Sequence, residues 1–130
     1  MYQTTTHDIQ ITVTPKFLTK ESAPDKCHFV WAYSIEIENQ GSKTVQLVSR
    51  YWRIVDGTGK VQEVEGPGVV GEQPVLNPGG SFSYTSGVPL TTPSGFMDGH
   101  YVMETDDGER FEATVPAFSL DSADERRIVH

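Results

Sequence analysis

The chain has 130 residues, a formal net charge of −8 and a single cysteine, Cys27. That length supports one domain around one core, and a lone cysteine excludes an intrachain disulfide. The acidic balance disfavours nonspecific binding to phosphate backbones, which relies on Lys and Arg releasing counterions, so no nucleic-acid partner is expected.

Met1 to Asp8 lacks the basic and apolar blocks of a signal peptide. No apolar run approaches the roughly 18 residues that span a bilayer. No membrane insertion is expected, and the expected location is the cytoplasm. Ile9, Ile11 and Val13 alternate with polar residues, the period of a half-buried strand. Thr19 to Lys26 reads as a loop. Cys27 to Asn39 carries the clearest alternation, with Phe29, Trp31, Tyr33, Ile35 and Ile37 on one face, and is the expected central strand. Lys43 to Asp56 is a second long β run whose apolar phase slips, from Val45 and Leu47 to Trp52 and Ile54. A bulge or bend near Val48 to Tyr51 restores the inward face.

Asp56-Gly57-Thr58-Gly59 reads as a hairpin turn, and Lys60 to Glu65 as a short returning strand with Val61 and Val64. Ser81 to Ser86 alternates again, with Phe82 and Tyr84 inward. Gly87 to Gly99 is rich in Pro and Gly and reads as irregular. His100 to Thr105 and Arg110 to Phe118 are the closing strands, around an Asp106-Asp107-Gly108-Glu109 turn. Seven or more short antiparallel strands without helical periodicity predict an all-β sandwich. The predicted domain spans residues 1–120, and 121–130 reads as a polar, frayed tail.

The run Gly66-Pro67-Gly68-Val69-Val70-Gly71 matches G-x-G-x-x-G. A dinucleotide site needs those glycines between a strand and a helix, with an acidic residue about 20 positions on. Here Pro74 and Asn77-Pro78-Gly79-Gly80 cut any helix short, and Pro89 to Pro93 holds no carboxylate. Glu72 follows Gly71, so the run is not a phosphate-binding P-loop. Two readings stay open: a glycine-permitted connection, or a nest of backbone N–H groups at Gly66, Gly68 and Gly71 that binds an anion. Arg50 and Arg53 could assist the nest, or pair across strands with Glu36 or Glu38.

Tyr51 and Trp52 between Arg50 and Arg53 have the composition of a binding hot spot, and on a strand one of the two aromatics faces out. Phe96 and Met97 are further candidates for exposure. Acidic and His side chains at Glu36 and Glu38, Asp98 and His100, and Asp106 to Glu109 match no calcium or zinc spacing, so no metal site or cofactor is assigned. No nucleophile elbow is present, and Cys27 reads as a small packed side chain. The sequence gives no reason to expect an enzyme.

Taken as a whole string, Gly66-Pro67-Gly68-Val69-Val70-Gly71-Glu72-Gln73-Pro74-Val75-Leu76 resembles the bacterial ApaG family. Tyr51-Trp52-Arg53-Ile54, Phe82 to Gly87, Gly99-His100-Tyr101 and Val115-Pro116-Ala117-Phe118 extend the resemblance over roughly Thr6 to Leu120. The resemblance implies a fibronectin type III-like β-sandwich and an association with cobalt and magnesium resistance or efflux. Related domains are appended to eukaryotic F-box proteins and to a polymerase-delta-interacting protein, which implies a protein-interaction module. The family's glycine motif, discussed as a nucleotide or pyrophosphate site, maps onto Gly66, Gly68 and Gly71. A protein partner is therefore the leading expectation and a phosphorylated ligand the alternative. Free sandwich edges also leave a homodimer open.

Overall fold

A computed structural model of the protein describes residues 1–122. Among these residues the chain forms nine strands in two antiparallel sheets, with one 3-10 turn at Pro24–Lys26. The first sheet has the order β1(Tyr2–Thr6), β2(Ile9–Phe17), β3(Phe29–Asn39), β7(Ser81–Leu90). The second has β5(Val61–Pro67), β4(Val45–Asp56), β8(Ser94–Thr105), β9(Arg110–Asp121), with the short β6(Val75–Leu76) also on β4. Setting aside β1 and β6, this is the fibronectin type III arrangement.

Period-two patterning decides the core. Phe29, Trp31, Tyr33, Ile35 and Ile37 are all buried, on a strand paired on both sides. From the facing sheet, Trp52 meets Tyr33, Tyr101 and Phe118 edge-on, at centroid distances of 5.4, 6.1 and 6.1 Å. The phase slip of β4 is a bulge: its pairing with β8 shifts between Leu47 and Ser49, so Val48 is the extra residue. A second shift opposite Met97 and Gly99 brings both Val115 and Phe118 inward on β9.

The structure adds a first strand and corrects several expectations. Tyr2–Thr6 is a strand, closed onto β2 by a two-residue turn with both His7 and Asp8 at positive φ. The stretch Gly87 to Gly99 is largely strand, because β7 runs on to Leu90 and β8 begins at Ser94. Pro89 fits there because Val30 opposite it is already satisfied on its other side. The Val30 N–H donates to Ser22 Oγ, and its carbonyl accepts from Leu18. The missing proline N–H therefore faces the free edge and costs no ladder bond. Val61 is exposed, and so is Cys27, which sits in the left-handed region at the end of the 3-10 turn. β9 reaches Asp121 and Ser122 is buried; the rest of the expected tail, 123–130, lies outside the described residues.

The two sides of the sandwich differ. Along β1 and β9, Thr6 Oγ1 and the Tyr2 hydroxyl accept the amides of Thr114 and Ser119 on the edge of β9. Along β5 and β7, a groove runs between the sheets.

Candidate recognition groove and outer face

The glycine run is split between two structures. Gly66 and Pro67 belong to β5, opposite Arg50 and Ser49. Gly68 to Glu72 then turns back tightly over the bulge of β4, and no helix follows. Gly68 donates to Val48 O at 2.9 Å, and Gln73 Nε2 donates to the same carbonyl at 2.8 Å. Val69 and Glu72 exchange backbone hydrogen bonds, each of 2.8 Å, across the turn. A Cβ on Gly68, whose φ is +59°, would lie 2.1 Å from Glu72 O. Gly68 is thus required by packing as well as by backbone conformation. Gly71, at φ +81°, has open space around it. Val69 is buried, whereas Val70 stands exposed at the tip with φ +43°, an uncommon place for a β-branched residue.

The predicted hot-spot residues divide between two faces because they are consecutive on one strand. Arg50 and Trp52 point into the sandwich, and Tyr51 and Arg53 point out. Trp52 is 3% exposed, which removes it from the expected interaction surface. Neither arginine pairs with Glu36 or Glu38, which lie on the other sheet. Arg50 is half-buried, and its Nη1 donates to the carbonyls of Pro67 at 3.1 Å and Gly68 at 3.0 Å. Gly66 leaves room for this, since a Cβ there would lie 3.0 Å from that nitrogen. Arg53 forms a fork with Asp98, at 3.1 and 2.8 Å, and its guanidinium carbon lies 5.8 Å from the centre of the Phe96 ring.

On the outer face, Tyr51 stacks on His100 with centroids 5.1 Å apart and donates to Glu63 Oε2 at 2.6 Å. That bond holds the Tyr51 proton and pushes its pKa up. His100 Nε2 lies 3.5 Å from Glu112. Of the acidic and His side chains singled out in the sequence, Asp98 is engaged by Arg53, His100 by Tyr51 and Glu112, and Asp107 by Lys43 and the Thr105 hydroxyl. Among the described residues, no three His, Cys, Asp or Glu side chains converge as metal ligands.

The inward side has features that the sequence reading missed. Arg50, Tyr33, Trp52, Gln62, Val64 and Ser86 line a groove of about 270 Å³ between β5 and β7. It continues past Ile54, Gln62 and Pro89 into a second hollow of about 220 Å³ bordered by His28, Asp56 and Lys60. Beneath it the hydroxyls of Tyr84 and Tyr101 share a 2.6 Å hydrogen bond, and Tyr33 stands opposite Ser86 on β7. Burial pushes all three tyrosines above the usual phenol range. The available signal was that inward tyrosines at 33 and 84 need partners for their hydroxyls.

These features can be set beside known proteins. The family model described as the ApaG domain matches residues 19–105. Protein ApaG of Methylobacterium sp. strain 4-46 is 59% identical over 130 residues, covering 100% of both chains. Protein ApaG of Paramagnetospirillum magneticum is 59% identical over 126 residues, covering 97% of each.

The chain belongs to the ApaG family.

A Bordetella pertussis protein solved by crystallography under the name ApaA superposes with a TM-score of 0.88 at 45% identity, covering 89% of this chain and 94% of that one. The ApaG domain match contains the glycine run, Arg50 to Arg53 and both walls of the groove, and it ends at Thr105, before β9.

Proposed function

We propose that this ApaG chain is a non-catalytic, cytoplasmic protein-interaction domain that serves cobalt and magnesium homeostasis indirectly, through a protein partner. The observation that carries this reading is the outer face of the second sheet. There Tyr51 stacked on His100 and Arg53 over Phe96 form an aromatic and arginine cluster at the surface, with Phe96 37% exposed. Aromatics and Arg dominate binding energy at protein interfaces. The metal role is assigned to the partner because Asp98 is held by Arg53, and Asp107 by Lys43 and the Thr105 hydroxyl.

The reading with a phosphorylated ligand at Gly66 to Gly71 has less support. The amides of Gly68, Val69 and Glu72 are spent inside the protein, and two carbonyls rather than amides face Arg50.

Affinity capture from a native bacterial lysate, with the wild type beside Tyr51→Ala/Arg53→Ala, tests the proposal. Loss of a partner in the double variant is expected. Retention of every partner by a folded double variant contradicts the outer face as the contact.

A further inference from the structure

The edge of β7 has three properties that point to a ligand. First, its ladder direction is fixed by Val30, whose backbone groups both turn toward β2, and by Asn39, which exchanges bonds with Gly79 and Gly80. By antiparallel alternation the backbone groups of Ser83, Thr85 and Gly87 therefore face outward. Among the described residues they have no strand beside them. Second, Ser81–Leu90 contains no charged residue and, in its pairing with β3, no bulge, two of the devices that stop an edge from pairing, and its one proline, Pro89, interrupts the edge only near its end. Edge β5 differs, with Glu63 and Glu65 along it. Third, the groove along this edge holds an uncompensated cation. Arg53, Arg110 and Lys43 each have a carboxylate partner, whereas among the described residues Arg50 has carbonyls only.

A half-buried guanidinium without a counter-charge, beside an open strand edge in a chain of net charge −8, calls for an anionic group brought in by an extended backbone. The groove stays open past Arg50, into the hollow bordered by His28 and Lys60. A chain can run through it, so the carboxylate is that of a side chain and not a terminus. We propose that the β7 edge accepts an extended segment of the partner protein as an added strand, with an Asp or Glu side chain turned inward onto Arg50. Residues two positions before and after that carboxylate also face inward. They meet Val64, Ile54 and Val88, so apolar side chains are expected there. Hydrogen bonds to the β7 backbone supply affinity and the Arg50 contact supplies selectivity.

The proposal rests on the interaction-domain reading but uses a different surface, so the two fail separately. Its test is selection of a random dodecapeptide library displayed on phage against the immobilised full chain. Binders are then measured by calorimetry and by amide NMR. Enriched peptides are expected to carry Asp or Glu between apolar residues at the flanking alternate positions, and to shift the amides of Ser83, Thr85 and Gly87. Arg50→Met is expected to weaken binding at least tenfold. Because that variant loses the bonds to Pro67 and Gly68, two others protect the test. Gly87→Pro removes an edge N–H at a site where a Cβ meets only Trp31 O at 3.6 Å. Gln62→Glu sets a carboxylate on the exposed opposite wall. Both are expected to weaken binding tenfold with the fold intact.

No acidic enrichment, or binders indifferent to Gly87→Pro and Gln62→Glu, overturns the proposal. So does a concentration-dependent dimer that Gly87→Pro dissociates, since the edge would then serve a second copy. If lysate partners are lost only in Tyr51→Ala/Arg53→Ala, the interaction-domain reading stands and the groove proposal falls.

Discussion

Arg50 Nη1 lies 3.0 Å from the carbonyl oxygen of Gly68. This contact joins the inward face of β4 to the start of the glycine turn and engages Nη1 of the arginine with backbone oxygens. The turn is thereby a brace on the β4 bulge, and the remaining face of the guanidinium looks into the groove. The two glycines nearest the turn can be told apart on this basis.

Gly68→Ala is expected to cost about 3 kcal/mol or more, from a Cβ forced against Glu72 O on top of a left-handed backbone. Gly71→Ala keeps only the backbone strain and is expected to cost about 1 kcal/mol. Urea denaturation of both variants checks the order. A phosphate nest would instead make the two comparable in ligand binding and leave stability secondary.

Val70 occupies the left-handed region while exposed to solvent. Asn tolerates that conformation, so Val70→Asn is expected to stabilise the fold by about 1 kcal/mol. A raised thermal midpoint with unchanged tyrosine fluorescence checks it.

Asn39 is the buried polar hub of one sandwich end. Its Nδ2 donates to Lys43 O at 2.7 Å and Leu76 O at 3.0 Å, and its Oδ1 accepts from Gly41 at 2.9 Å. Asn39→Asp puts a carboxylate against two carbonyls and is expected to cost about 3 kcal/mol near neutral pH. Protonating that carboxyl returns one donor, so part of the loss should recover toward pH 4. Chemical denaturation at the two pH values reads both effects.

Tyr33, Tyr84 and Tyr101 have folded-state pKa values raised by burial. Below the usual phenol pKa of about 10 both states hold the proton, and stability does not depend on these groups. Above it the unfolded chain loses protons that the folded chain keeps, so stability falls as pH rises. The slope approaches about 1.4 kcal/mol per pH unit for each such tyrosine. Absorbance at alkaline pH should show these three titrating only as the fold is lost.

The core was legible because it is local. The alternation of Phe29 to Ile37 fixes which side of β3 is buried, and the phase slip between Leu47 and Trp52 requires a bulge where Val48 has one. The missed strands have specific causes. Tyr2–Thr6 offers mostly threonines and a His7-Asp8 turn with no glycine. Gly87 and Pro89 read as breakers but sit on an edge, where a proline opposite Val30 loses nothing. The split of Arg50 and Trp52 from Tyr51 and Arg53 follows from strand period alone. The tyrosine hydroxyls and the open groove were not legible, because Tyr33, Ser86 and Tyr101 meet only through the pairing of β3 with β7 and the stacking of the sheets.

The central claim is that the glycine turn is a structural brace in a protein-recognition domain. An amide NMR titration of the labelled chain with pyrophosphate and with a nucleotide, with and without Mg²⁺, tests it most directly. The account predicts no saturable shift at Gly66 to Gly71 up to millimolar ligand. Saturable shifts centred on Val70 and Gly71 would contradict it and make the chain a binder of phosphorylated small molecules.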